Sequence, residues 1–271
     1  MMMNDEILRH LKSVSLKNMQ KIVSDGRRML APKDGIRVSD WAEKYRMLPE
    51  TSMEPGRWRT DRAPHTRAIM DAVNDPRVRQ ITVWGSSQIG KTELMNNIVG
   101  YFMDVDPCAI MIMQPTDAAA KDYSQQKLEP MINDTPVLRD KVAKKKSRSA
   151  DNSTLRKRYA GGFLLVVSGN SVSSLRGKTI KVTIGDDIDA IPIGFRREGD
   201  PILLLIKRTT TYPDHLNINI STCTRDGESR IQALYGQSNQ QKFYVKCPHC
   251  RQEILLEEEY LSWEKNHDLM G

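Results

Sequence analysis

Residues 85–92 read GSSQIGKT and follow directly on the apolar run ITVW. Glycines let the backbone curl so that successive N–H groups point inward, which is how a loop cradles phosphate oxygens. Here Gly85 and Gly90 bracket Ser86, Ser87, Gln88 and Ile89, and Lys91 and Thr92 follow at once. A helix beginning at Lys91 would add its positive N-terminal end to the same site. In that arrangement Lys91 reaches the outer phosphates of a nucleoside triphosphate, and the Thr92 hydroxyl ligates Mg2+. The eight residues fit the Walker A pattern without a mismatch. A strand before and a helix after separate the motif from a chance glycine-rich turn.

Such a loop needs a carboxylate at the end of a neighbouring strand to hold Mg2+, and hydrolysis needs a group that positions water. The stretch IKVTIGDDIDAIP (180–192) supplies candidates for both. A strand over Ile180–Ile184 would present Asp186 on the metal side and Asp187 for water activation, on the rim where the ligands of parallel sheets bind. Asp189 reads as a cap or a salt-bridge partner. Farther on, Cys247-x2-Cys250 has the spacing of half a structural zinc site, which needs four ligands. His249 lies between the two thiols and His267 is the only later histidine, so two free thiols on an unfinished knuckle are the alternative.

The elements that must position these groups alternate along the chain. After about 45 residues of helical character with a break at APKDG (31–35), a loop enters a helix near Ala63–Val73, with Pro64 in its first turn. Short apolar strands are expected at 79–85, 108–114, 162–169, 179–185 and 216–222. Helices are expected at 91–103, with Leu94, Ile98 and Phe102 on one face, at 117–131, and at 200–209. That order predicts an α/β fold, a P-loop NTPase of RecA/ASCE type: a mostly parallel sheet with helices on both faces. The basic stretches 141–148 and 155–159 are expected on an exposed connection.

Composition sets the outer limits. The 271 residues are 39% hydrophobic and 28% charged, enough for a soluble domain with a real core. The longest apolar run, ILLLI at 202–206, is too short to cross a bilayer, and no secretory signal opens the chain. A net charge of +7 is compatible with a polyanionic partner without requiring one. Of the four cysteines, Cys108 and Cys223 read as buried thiols, and the set fits a reducing compartment better than a disulfide framework.

Taken in order, WGSSQIGKTE, SSLRGKTIKVTIGDDIDAIP, INISTCTRDGESRI and YGQSNQQKFYVKCPHC resemble the ATPase half of a tailed-phage terminase large subunit of the lambda-like (GpA) type. The resemblance covers about residues 45–255. It implies ATP-driven translocation of double-stranded DNA into a procapsid, in the cytoplasm of the infected bacterial host. It also implies a homo-oligomeric ring on the portal, recruited by a small terminase subunit, and no membrane. Ser221 and Thr222 match the position that senses the γ-phosphate. The implied division is a helical arm over 1–45, the ATPase domain over 46–240, and the start of a zinc-binding insertion or linker over 241–271. The family's nuclease is expected to be absent from a chain that stops at Gly271, and the chain to be a fragment.

Two departures stand out. The family usually has Asp-Glu where this chain has Asp186-Asp187, a carboxylate one methylene shorter. Some terminases also carry an arginine in the loop where Ser87 stands, so a transition-state arginine must come from elsewhere, with Arg57, Arg176 and Arg225 as candidates. Lys144, Lys145, Lys146, Arg148, Arg156, Lys157 and Arg158 form the densest basic cluster, read either as DNA contacts or as a solvated loop. Two other functions stay open: a helicase-like or remodelling translocase, and a nucleotide-binding assembly module with little turnover.

Overall fold

The computed structural model describes residues 35–142, 152–171, 175–192, 199–225 and 227–256. Residues 1–34 of the expected arm, His267, and Lys144, Lys145, Lys146 and Arg148 of the basic cluster lie outside them.

Helix α1 (Val38–Tyr45) comes first and is followed by a two-stranded ribbon, β1 (Met47–Leu48) and β2 (Gly56–Arg57). Helix α2 (His65–Ala72) leads to β3 (Gln80–Trp84), the glycine loop and α3 (Lys91–Asp104). Next come β4 (Ala109–Gln114), α4 (Asp117–Tyr123), a π-helical turn at Ser124–Leu128, α5 (Glu129–Asp134) and α6 (Pro136–Arg139). The second half runs β5 (Arg156–Tyr159), β6 (Gly162–Ser168), β7 (Val182–Asp186), α7 (Pro201–Ile206), β8 (Leu216–Ser221) and α8 (Arg230–Gly236). A hairpin, β9 (Tyr244–Lys246) and β10 (Glu253–Leu255), closes the described chain. None of the described helices is long and apolar enough to cross a membrane.

Six strands form one sheet in the order β3-β8-β7-β4-β6-β5. Every pairing is parallel except β5 with β6. One strand, β8, therefore separates the loop-bearing β3 from β7, which ends in Asp186. This is the ASCE arrangement of a P-loop fold. Burial alternates along β4: Ile110 and Ile112 join the core under α1 to α5, while Met111 and Met113 join a second core under α7 and α8. Both faces are thus covered, which is why the strands read as continuous apolar runs.

The loop-bearing helix α3 is buried from Leu94 to Met103, beyond the single stripe that Leu94, Ile98 and Phe102 suggested. Its polar Asn96 is retained inside by accepting a hydrogen bond from the Tyr123 hydroxyl at 2.9 Å. At Gly100 the indole of Trp41 comes so close that an added Cβ would lie 2.3 Å from Cη2.

Three expectations need correction. Residues 156–159 are not an exposed connection but the edge strand β5, because Leu164 and Phe163 of β6 offer a partner edge. Lys157 is 6% exposed and its ammonium pairs with Glu129 at 2.7 Å, which removes it from any DNA-facing cluster. The strand before the acidic pair begins at Val182, not Ile180, so Asp186 is its last residue. Cys223 is only half-buried, whereas Cys108 is buried as expected.

Candidate functional site

The glycine loop sits between the C-terminal end of β3 and the first turn of α3. Gly90 adopts φ 86°, a left-handed backbone open to glycine, and Gln88 takes φ 61° in the same turn. At Gly85 the limit is space, since an added Cβ would lie 2.3 Å from Ile89 Cδ1. The Gly85 N–H donates to the Ser221 carbonyl at 3.3 Å, which binds the loop to the end of β8.

Lys91 spans the mouth of the loop. Its ammonium donates to Ser86 O at 2.6 Å, to Gly85 O at 3.2 Å and to Thr222 Oγ1 at 2.6 Å. Burial pulls the Lys91 pKa down, while Asp187 and Asp186 pull it back up. Thr92 follows in the first turn, half-buried, beside Glu93. Glu93 holds the 0%-exposed Arg46 through a 2.7 Å ion pair, so the segment after α1 is fastened to the base of the loop helix. Burial lowers the Arg46 pKa against the attraction of Glu93.

Asp186 closes β7 opposite Ile220 of β8. Its carboxylate accepts a hydrogen bond from Gln114 Nε2, at the end of β4, at 2.8 Å. Burial pushes the Asp186 carboxyl above its ordinary pKa, and the Gln114 hydrogen bond is the largest influence opposing it. Asp187 turns into the left-handed region at φ 52°, ψ 51°, which aspartate tolerates better than most residues. The fully buried Ser221 points its hydroxyl at the Asp187 carboxylate across 3.5 Å. The chain thus brings Lys91, Asp186, Asp187, Ser221 and Thr222 to one rim, at the ends of β3, β8 and β7.

Asp189 behaves as a cap. Its carboxylate accepts from the Ile231 N–H at 2.9 Å, from the Thr224 N–H at 3.3 Å and from the Ser229 hydroxyl. The acidic turn is thereby tied to the 222–229 loop and to the start of α8. Among the arginines proposed for the transition state, Arg57 and Arg176 are exposed. Arg225 is 80% exposed and faces Glu228 at 3.7 Å.

A cavity of about 570 Å³ also adjoins the loop, bordered by Val83 and Trp84 of β3. The aromatic residues His65, Trp84, Tyr235 and Phe243 line it, and it shares Ile89 and Lys91 with the loop. The sequence reading missed this cavity and Gln114. Gln114 ends a strand next to the acidic strand, so its position on the ligand rim was available as a signal. Nothing in the local pattern linked His65 to Phe243.

The CPHC pair occupies the turn of the β9–β10 hairpin. The Cys247 N–H donates to Gln252 O at 2.8 Å, and the Arg251 N–H donates to Cys247 O at 2.9 Å. Backbone N–H groups, that of Cys250 foremost, draw the Cys247 thiol pKa down. Two thiols are half of a zinc ligand set. Among the described residues no group of three or more His, Cys, Asp or Glu is placed to hold a metal ion.

Comparison with known proteins agrees with this geometry. Residues 52–270 match the family model for the phage terminase large subunit gpA, ATPase domain. The terminase large subunit of Enterobacteria phage P21 is 30% identical over 235 residues, covering 83% of this chain and 36% of that protein. That of Escherichia phage lambda is 27% identical over 250 residues, covering 91% and 39%. The chain therefore spans little more than a third of these relatives. In fold, it is similar to the crystal structure of the HK97 bacteriophage large terminase, with a TM-score of 0.60 at 16% identity over 76% of this chain and 41% of that one. The chain belongs to the family of the phage terminase large subunit gpA, ATPase domain.

Proposed function

We propose that this chain is the motor ATPase of a terminase large subunit, hydrolysing ATP to drive double-stranded DNA into a procapsid. The observation that carries the reading is the Lys91 ammonium, held at 2.6 Å from both Ser86 O and Thr222 Oγ1 at the end of β8, next to the acidic end of β7. Lys91 lies where it would exchange these carbonyl and hydroxyl partners for phosphate oxygens. The backbone N–H groups of residues 85–91 and the positive end of α3 favour the same anion.

The donor set fits Mg2+, a hard cation that prefers oxygen ligands and keeps several waters. Thr92 offers a hydroxyl at the start of α3, and Asp186 offers a half-buried carboxylate aimed by Gln114. When bound, Mg2+ would neutralise charge on the transferring phosphoryl group. Asp187 orients the attacking water and accepts its proton, with the Ser221 hydroxyl 3.5 Å away to hold the carboxylate. Thr222, on Lys91, registers whether the outer phosphate is present.

The finer parts of the reading rest on family membership. They are a ring of copies on the portal, a small-subunit partner, action in the cytoplasm of the infected host, an ATPase domain over 46–240 and an insertion or linker from 241. Zinc in that last segment would need ligands beyond Cys247 and Cys250.

The test is ATP hydrolysis with and without double-stranded DNA, alongside Lys91→Ala. We expect saturable Mg2+-dependent ATP binding, slow hydrolysis by the isolated chain, and loss of both in Lys91→Ala. Equal hydrolysis by native chain and variant would refute the site. Stimulation accompanied by strand separation would assign the site to a helicase-like translocase instead. Tight binding without turnover, even in assembled particles with procapsids and DNA, would assign it to an assembly module.

A further inference from the structure

Glu93 follows Thr92 and stands third in the loop helix α3, whose N-cap is Gly90. A glutamate at that position is set to fold back on the N-cap N–H, as in a capping box, and the positive end of the helix draws a carboxylate the same way. Those first backbone N–H groups are also the ones a phosphate loop offers to its anion. Gly90 has no side chain with which to occupy them. An unrestrained Glu93 carboxylate would therefore compete with phosphate for the start of α3.

Arg46 holds that carboxylate elsewhere. Its guanidinium is 1% exposed and donates through Nη2 to Glu93 Oε2 at 2.7 Å and through Nη1 to the Met47 carbonyl. The backbone of Arg46 is fixed as well. Its N–H donates to Ala42 O at 3.0 Å, at the end of α1, and its carbonyl accepts from the Trp58 N–H at 3.0 Å, just past β2. The next N–H, of Met47, donates to Thr135 Oγ1 at 3.2 Å, between α5 and α6. Burial lowers the Arg46 pKa, and Glu93 opposes this ahead of Tyr123 and Asp134. Stability alone does not account for an arginine here. Replacing a buried ion pair by apolar residues of like volume is often neutral or stabilising. Arg46 Nε is moreover buried without a hydrogen-bond partner among the described residues.

We propose that Arg46 is a positioning residue for the phosphate loop: it withholds the Glu93 carboxylate from the first N–H groups of α3 and so leaves them to the phosphates of the nucleotide. The inference rests on reading residues 85–92 as the phosphate site. It gives α1 and the β1–β2 ribbon, which stand outside the six-stranded sheet, a part in nucleotide binding.

The test measures Mg2+-ATP affinity by calorimetry, and ATP hydrolysis, on the full chain. The proteins are native, Arg46→Met, the double variant Arg46→Met/Glu93→Gln, and Lys91→Ala, each first shown by its melting curve to be folded at the assay temperature. A like charge set against a bound anion costs tenfold or more in affinity. Arg46→Met should therefore weaken Mg2+-ATP by about tenfold or more, as a raised KM with kcat within about twofold of native. The double variant should recover most of that loss, because the neutral amide no longer competes as an anion. Where Arg46→Met is unfolded, Arg46→Gln, which keeps a donor for the Met47 carbonyl, carries the same comparison with and without Glu93→Gln. Native affinity in the Arg46 variants overturns the proposal. A loss that persists when Glu93→Gln is added, or one that falls on kcat alone, also overturns it and marks Arg46 as a packing residue. Failure of the native chain to bind Mg2+-ATP, or binding undiminished in Lys91→Ala, overturns the phosphate reading and this proposal together.

Discussion

Replacing Gln114 with alanine separates the aiming of the metal-side carboxylate from the rest of the site. Gln114 is 5% exposed and its amide donates to Asp186 Oδ2 at 2.8 Å. A hydrogen bond to a charged group is worth about 1.5–3 kcal/mol, which at 1.36 kcal/mol per decade is about 10- to 150-fold. Burial already lifts the Asp186 pKa, and the Gln114 hydrogen bond is the main force lowering it. Its loss therefore lifts that pKa further. Asp186 must be ionised to hold Mg2+, so activity disappears as pH falls through this pKa, and a higher pKa moves the acid limb to higher pH. We expect Gln114→Ala to need about 10- to 150-fold more Mg2+ for half-maximal hydrolysis, with its acid limb displaced upward. Saturating Mg2+ or higher pH should restore most of the rate. Gln114→Glu places a like charge beside Asp186 and should fall further. Steady-state phosphate release across Mg2+ concentration and pH reads all of this. A Gln114→Ala protein with native Mg2+ dependence and an unmoved acid limb would refute the reasoning. So would a uniform loss of kcat with neither shift, because it would mark Gln114 as a packing residue only.

Two further substitutions probe the acidic turn and the core. Asp187→Glu lengthens the water-side carboxylate by one methylene, and a 1 Å change in placement is worth about 10²-fold in rate. We expect kcat to rise towards that factor with the KM for ATP little changed, and an unchanged or lower kcat would show that this turn is built around aspartate. Gly100→Ala gains about 1 kcal/mol of helix propensity but drives a Cβ to 2.3 Å from Trp41 Cη2. That indole is fully buried and held by a 2.7 Å hydrogen bond to Asp104, so it has little freedom to yield. Overpacking costs about 1–3 kcal/mol, so the net loss should be on the order of 1 kcal/mol, visible as a lowered Tm. An equal or higher Tm would mean that Trp41 moves easily.

The sheet was legible because its strands are buried on both faces. Met111 and Met113 on one side, and Ile110 and Ile112 on the other, leave β4 with no polar alternation to confuse the reading. The place of the glycine loop was legible because its signal is local: glycines, lysine and threonine fall within eight consecutive residues between a strand and a helix. The acidic pair was legible because strand ends must carry it, although its strand starts two residues later than the apolar run implied. Strand β5 failed for the opposite reason. RKRY carries a charge pattern suited to solvent, and only a tertiary partner, Glu129 at 2.7 Å from Lys157, makes it an acceptable edge strand. The cavity was illegible because His65, Trp84, Tyr235 and Phe243 meet only after the chain has crossed the sheet.

The two sides of the loop are mechanically joined, and a single carboxylate accounts for much of the joint. Asp189 sits two residues beyond the water-side Asp187, and its backbone N–H donates to Ser221 Oγ at 3.2 Å. Its side chain accepts from the Ser229 hydroxyl and from the Ile231 N–H at 2.9 Å, so it holds the first turn of α8. Arg230 strengthens the same link by donating to Ile191 O at 2.8 Å and Ile188 O at 3.2 Å. Tyr235 lies farther along that helix and faces Trp84 at the edge of β3. A displacement of the acidic turn on loss of the outer phosphate would thus act on α8 through charge-assisted hydrogen bonds, which are stronger and more directional than apolar contact. Because α8 also forms a wall of the cavity, the turn cannot shift far without either breaking these bonds or moving Tyr235. Elements that follow α8, as far as β10, are in line to receive such a displacement.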